Sequence, residues 1–344
     1  MSNTLKEQFP MLLNRNELLK EIRGNASLKQ TFERLKPERQ KEFLDFCTGV
    51  KGMRVLYDSF FKEVMNPEYA PERLEDLLSV LLKKRVSILS ILPNDSTRIV
   101  NETSLLITDI VVELEDGSIA NVEIQKIGYD FPGARSACYS ADMLLRQYKR
   151  VRNTQEDNFS YHDIKSVYLI VIYEHSPSIF HEKNELYYHY GKTVFDSGLN
   201  LDLLQEYVMI PLDIFKKTRQ NKPIETKLEA WLTFFGEDSP EKIMELISKF
   251  PEFKAMYETL FGMCHDVERV MNMFSKELEI LDKNTVTYMI EEQQREIEQK
   301  EAEIKQKNME IEQKDAQIKQ KDTQIEQKDA QIAKLKAKLA TYEN

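Results

Sequence analysis

Apolar residues recur every three or four positions through residues 38–65, ERQKEFLDFCTGVKGMRVLYDSFFKEVM, which predicts helix. Pro71 then opens PERLEDLLSVLLKKR. Leu74, Leu77, Leu78, Leu81 and Leu82 share one face there, and Pro suits a first helical turn. From Ser104 the period changes to two. Three later runs are also strand-like: VYLIVIY (167–173), LYYHYGKTVF (186–195) and YVMIPLDI (207–214). After Pro223 the pattern is helical again, with breaks near Gly236 and Pro251. Helices, then strands around one helix, then helices predict an α/β or α+β core with helical additions.

The pattern changes once more near Thr285. Beyond it there is no Gly or Pro, and Ile recurs every seven residues at Ile290, Ile297, Ile304, Ile311, Ile318, Ile325 and Ile332, followed by Leu339. This predicts a long helix, supported by pairs such as Glu296–Lys300, Glu303–Lys307 and Glu310–Lys314. The seam is weak. Three residues after successive Ile stand Lys300, Lys307, Lys314, Lys321 and Lys328, and four after stand Glu301, Asn308, Asp315, Asp322 and Asp329. A homodimerising stalk and a solvated single helix both fit. The expected division is a domain over 1–285 and a coiled-coil-like tail over 286–344.

The chemistry concentrates in residues 104–126, SLLITDIVVELEDGSIANVEIQK. Two apolar runs flank Glu115-Asp116-Gly117, a three-residue hairpin loop with Gly in the left-handed position. In that register Leu114 faces Ser118, Val111 faces Asn121, Asp109 faces Glu123 and Ile107 faces Gln125. Asp109, Glu123 and Gln125 then share one face, while Ile110, Val112, Val122 and Ile124 line the other. Opposed carboxylates repel, and burial disfavours both charges. A hard divalent cation such as Mg²⁺ would resolve the conflict. An ordinary solvated sheet face would also carry acids, and Glu113 on the same face fits that reading.

The following helix, residues 133–152, GARSACYSADMLLRQYKRVR, carries five basic residues and one acidic residue. Ala137, Ala141, Leu144, Leu145, Tyr148 and Val151 are expected to face inward. Arg135, Tyr139, Asp142, Arg146, Lys149 and Arg150 are expected outward, as a phosphate-binding patch or a solvated face.

These residues together resemble the core of the Rpn-like PD-(D/E)XK nuclease family, the recombination-promoting nucleases also labelled transposases. The resemblance runs from about Arg73 to Ile214, and more loosely to about residue 285. It implies a restriction-endonuclease-like core with a mixed four- to five-stranded sheet between helices. It also implies a Mg²⁺-dependent DNA endonuclease (Mn²⁺ would serve) that hydrolyses phosphodiester bonds. Asp109 and Glu123 match the metal-binding acids, and Gln125 stands where the superfamily usually has Lys. Gln brings no positive charge but can orient a water. Lys126 points to the opposite face and does not substitute. Glu75, with Glu102 behind it, is the candidate for an added acid from the preceding helix. Arg135, Arg146, Lys149 and Arg150 would contact DNA.

Composition adjusts this picture. Charged residues make up 31% of the chain, above the usual quarter, and the tail accounts for the excess. A net charge of −10 confines nucleic-acid binding to a local basic patch. No apolar run approaches the roughly 20 residues of a membrane helix. The N-terminal residues lack the apolar region of a secretory signal. Cys47, Cys138 and Cys264 form no disulfide or metal spacing, so a cytoplasmic protein is expected. The five histidines show no zinc pattern, and with ten Gly and no Gly-rich loop no nucleotide cofactor is expected. The opposite functional reading is a catalytically weak or inactive nuclease fold, a dimeric DNA-binding or interaction module, to which Gln125 and the net charge lend support.

Overall fold

A computed structural model describes residues 4–342 apart from 54, 93–108, 128–131, 156–157 and 200. The chain divides into two compact units, Met1–Thr285 and Val286–Asn344. The first begins with five helices: α1 (Thr4–Gln8), α2 (Arg15–Gly24), α3 (Ala26–Arg34), α4 (Pro37–Cys47) and α5 (Asp58–Val64). The helical stretch expected over 38–65 is therefore broken. Gly49 turns the chain at φ +69°, a left-handed conformation that ends α4. Helix α6 (Pro71–Leu82) buries Leu74, Leu77, Leu78 and Leu81 as the pattern predicts, and Lys83 closes it at φ +53°.

Among the described residues six strands form one mixed sheet rather than the expected four or five: β1 (Ile88–Ile91), β2 (Asp109–Leu114), β3 (Ile119–Ile127), β4 (Val167–His175), β5 (His189–Lys192) and β6 (Gln205–Pro211). Their order is β1-β2-β3-β4-β6-β5, with β3, β4 and β6 parallel and the remaining pairs antiparallel. Helix α7 (Pro132–Gln155) connects β3 to β4, the crossover that a parallel pair requires. The strand expected over 186–195 shrinks to four residues. The run over 207–214 ends early, because Pro211 gives way to α9 (Leu212–Arg219); α8 (Ser178–His181) lies before β5.

Strand β4 is buried on both faces from Val167 to Tyr173, as suits a central parallel strand. Ile110, Val112, Val122, Ile124, Ile170, Ile172, Val208 and Ile210 point into the main core. There they meet α6 and the later helices α10 (Lys227–Gly236), α11 (Pro240–Lys249) and α12 (Phe253–Gly262). Trp231 anchors this core. Its ring lies 4.9 Å from Phe253, and its indole N–H donates to Asp76 Oδ2 at 2.8 Å. Cys47 and Cys264 are buried in the same core as free thiols.

Helix α13 (Val267–Tyr342) contributes Val267, Val270, Met271, Phe274 and Leu278 to the core of the first unit. In the second unit Ile297, Ile304, Ile311, Ile318 and Ile332 lie along this helix, each about half exposed. Among the described residues no helix is long and apolar enough to cross a membrane.

Candidate active site

The hairpin turn has the geometry that its three residues predict. Gly117 sits at φ +82°, and its N–H donates to Leu114 O at 2.8 Å. The Leu114 N–H in turn donates to Ser118 O at 2.9 Å. With the turn set, the register follows: Asp109 pairs with Glu123, Ile110 with Val122 and Val111 with Asn121. Ile107, expected opposite Gln125, lies outside the described residues, as does Glu102.

Glu123 is 1% exposed. Gln125 donates from Nε2 to Glu123 Oε1 at 2.6 Å, so the two polar groups of the E-x-Q run act as one unit. Lys126 is on the opposite face, with its ammonium 4.3 Å from the Tyr57 ring centroid. It offers no cation to replace the missing superfamily Lys.

Glu75 is placed elsewhere. Its Oε1 accepts from the Ile88 N–H at 2.8 Å, and Ile88 pairs with Leu114. Leu114 is five residues from Asp109, about 16 Å at the usual strand rise. Glu75 therefore caps the start of β1 at the far end of the sheet and does not join the carboxylate pair. Glu113 is also engaged: it accepts from Ser90 Oγ at 3.0 Å and forms an ion pair with Arg150.

Sequence reasoning missed Tyr173. It pairs with Gln125 across the parallel β3–β4 ladder and is fully buried. Burial pushes its hydroxyl well above the usual tyrosine range, and the Glu123 carboxylate pushes it further, against a hydrogen bond with Ser136 and the charge of Arg135. No sequence signal gives this neighbour, because a parallel register is not set by a turn. Alternation within β4 does place Tyr173 on the face of Val171 and Leu169.

Helix α7 covers this face in an orientation that differs from the expected one. Its buried stripe is Ser136, Ser140, Met143 and Gln147, while Ala137, Ala141 and Leu145 are exposed. The reason lies beneath it. The sheet face is mixed: Asn121, Glu123 and Gln125 are buried there beside an apolar cluster that includes Val111, Leu169 and Val171, so the helix meets it with small and polar side chains as well as with Met143, Tyr139 and Leu144. Ser140 Oγ lies 2.7 Å from Tyr207 Oη and accepts from Gln205 Nε2 at 2.8 Å. Gln147 donates to Gly117 O at 2.6 Å.

The rotation brings Arg135, Arg146 and Arg150 to one half-buried flank of α7, and leaves Lys149 exposed. Arg146 pairs with Asp142 at 2.7 Å, and Arg150 with Glu113.

The donor set suits a hard cation. Two opposed acids and the carbonyl of Ile124, next to Glu123, offer oxygen donors, and Mg²⁺ takes one or two carboxylates and keeps waters. Among the described residues no group of three or more His, Cys, Asp or Glu stands together as a metal site. Ser176, His181 and Asp213 do meet, but both Ser176 Oγ and His181 Nε2 lie against the same Asp213 Oδ2, at 3.1 and 3.3 Å. A nucleophilic relay needs the two imidazole nitrogens to serve different partners, so this cluster ties α9 to the end of β4.

Comparison with curated proteins and with solved structures found no significant match. A family model described as PD-(D/E)XK nuclease family transposase matches residues 55–289, more than half of the chain. The match spans the whole sheet, the opposed acids, E-x-Q and α7, and the chain thus belongs to the PD-(D/E)XK nuclease family transposases.

Proposed function

We propose that this protein is a metal-dependent DNA endonuclease that hydrolyses phosphodiester bonds at the Asp109–Glu123–Gln125 face of the sheet. The observation that carries this reading is the register. It opposes two acids on adjacent strands and places Gln125, held by Glu123, two residues along on the same face. Asp109, Glu123 and the Ile124 carbonyl would hold Mg²⁺ or Mn²⁺. The ion supplies neutralisation of charge at the scissile phosphate and a more acidic bound water.

The remaining work falls to the chain. With its Nε2 on Glu123, Gln125 keeps Oε1 to accept from the attacking water and orient it. Arg135, Arg146, Lys149 and Arg150 hold the DNA backbone along the flank of α7, without reading bases. The protein acts in the cytoplasm as a homodimer joined through residues 286–344.

A specific observation favours a second reading, a nuclease fold that binds DNA without cutting it. Gln125 brings no cation to the site, and Arg146 and Arg150 each have an acidic partner within the chain. One assay separates the two readings. Supercoiled plasmid should be nicked with Mg²⁺ or Mn²⁺, remain intact with EDTA, and remain intact with Asp109→Ala or Glu123→Ala. Binding without metal-dependent nicking by the parent protein selects the second reading.

A further inference from the structure

The far end of α7 carries a feature that cleavage alone does not use. Tyr148, Phe159 and Tyr161 form a three-ring cluster. Tyr148 meets Phe159 edge-on at 5.5 Å and stacks on Tyr161 at 6.2 Å, and Phe159 meets Tyr161 at 5.2 Å. A capping box holds the loop that brings the last two rings in. Asp163 accepts from the Ser160 N–H at 3.0 Å, and Ser160 Oγ accepts from the His162 N–H at 3.3 Å. Packing does not explain the whole cluster, because Tyr161 remains 74% exposed.

Cations lie on its α7 side, while Asp163, near Tyr161, is tied into the capping box. The Arg152 guanidinium lies 5.8 Å from the Tyr148 ring centroid and donates to the Tyr148 hydroxyl. Lys149 and Lys165 are exposed nearby in the sequence, Lys149 one turn before Arg152 on α7. Lys149 and Arg152 lie on the solvent side of the helix and join the arginine flank to the rings.

We propose that Tyr161, braced by Tyr148 and Phe159, is a stacking platform for an unpaired DNA strand, and that Lys149 and Arg152 bind its phosphates. This rests on the nuclease reading above and names its substrate: DNA with a single-stranded segment beside the cut. Stacking on aromatic rings within a basic groove is how single strands are held without sequence preference. A ring already fixed by neighbouring rings gives up little rotamer freedom when a base lands on it. The spacing also suits one continuous strand. Lys149 and Arg152, three residues apart on α7, are about 4.5 Å apart along the axis, within about two nucleotide steps at the spacing of a duplex strand.

The test uses the full chain in EDTA and fluorescence anisotropy with three probes: oligothymidine, a blunt duplex, and a duplex with an oligothymidine arm. The parent protein should prefer the armed duplex to the blunt one. Tyr161→Ala should lower the ratio of single-strand to blunt-duplex affinity by roughly tenfold, and Tyr161→Phe should keep it. The parent should also quench 2-aminopurine placed in the oligothymidine, and Tyr161→Ala should not. Melting temperatures of the variants exclude unfolding as a cause.

An unchanged ratio in a folded Tyr161→Ala protein would overturn the platform, as would an equal loss on all three probes. Tighter binding of oligouridine than of oligothymidine would overturn DNA as its partner. Plasmid nicking by the parent protein keeps the outcomes distinct. Nicking with an unchanged ratio sinks the platform alone, whereas a Tyr161-dependent ratio without nicking sinks the cleavage reading alone.

Discussion

Glu123 is nearly inaccessible, yet it faces a second acid across the hairpin. Without a cation this arrangement opposes folding, because burial disfavours the Glu123 carboxylate and an acid at the paired position of the next strand adds like charge. Two consequences can be measured. A divalent ion that binds only the folded chain should raise the melting temperature of the parent protein. Glu123→Gln, which keeps an amide for Gln125, should abolish that rise without lowering the metal-free melting temperature. Gln125→Ala should retain the metal-induced rise and slow nicking by about 10- to 100-fold, the usual effect of a group acting around a metal site.

Buried tyrosines set a separate limit. Burial is the main reason that the Tyr173 and Tyr257 hydroxyls sit above the usual tyrosine range. The unfolded chain releases those protons near pH 10 and the folded chain does not, so above that pH the folded state holds more protons. Stability should therefore be unaffected by these groups below about pH 10 and fall by about 1.4 kcal/mol per pH unit for each above it. Denaturant titrations across that range should show the fall, and Tyr173→Phe should reduce its slope.

At the scale of elements, the hairpin was legible and the helix that covers it was not. A Gly at the left-handed position of a three-residue loop fixes which residues face each other, so Asp109 opposite Glu123 could be read from one stretch of chain. The orientation of α7 could not be read that way. Hydrophobicity marks a buried side clearly only where the partner surface is uniformly apolar, and here Asn121, Glu123 and Gln125 interrupt the apolar cluster of Val111, Leu169 and Val171. Ser136, Ser140 and Gln147 are consequently buried, while Leu145 faces water.

The rotation leads to a prediction about the arginine flank. Arg150 is held by Glu113, so a DNA phosphate bound there would have to compete with a carboxylate for it. Glu113→Gln should strengthen duplex binding severalfold and steepen its dependence on salt by roughly one unit, since the released Arg150 neutralises one more phosphate. Arg146→Ala together with Arg150→Ala should weaken binding and flatten that dependence. A salt slope that none of these changes moves would assign the flank to packing alone.

For the whole molecule, the alternation of helices, strands and helices indicated the architecture, because period two and period 3.6 separate cleanly in this chain. The edges of the sheet were harder to read. β1 and β5 have four residues each, too few for alternation to stand out, and only pairing with a neighbour defines them. The tail poses the opposite difficulty, since its period is plain and its partner is not. Ile297, Ile304, Ile311, Ile318 and Ile332 form a stripe about half exposed along one helix, with charged or polar residues at the positions that should complete a seam. A second copy of the stripe would cover the isoleucines. The polar positions would hold the affinity well below that of a seam apolar at both core positions. Removal of residues 286–344 should therefore lower the mass seen by light scattering to well under half, because the partner is lost together with 59 of the 344 residues of each chain. It should leave unfolding of the first unit unchanged, followed through Trp231, the single tryptophan of the chain and buried in that unit's core. Truncation that shifts the Trp231 transition would make the tail part of the folded domain, and a full-length chain that scatters as a monomer at tens of micromolar would end the homodimer reading.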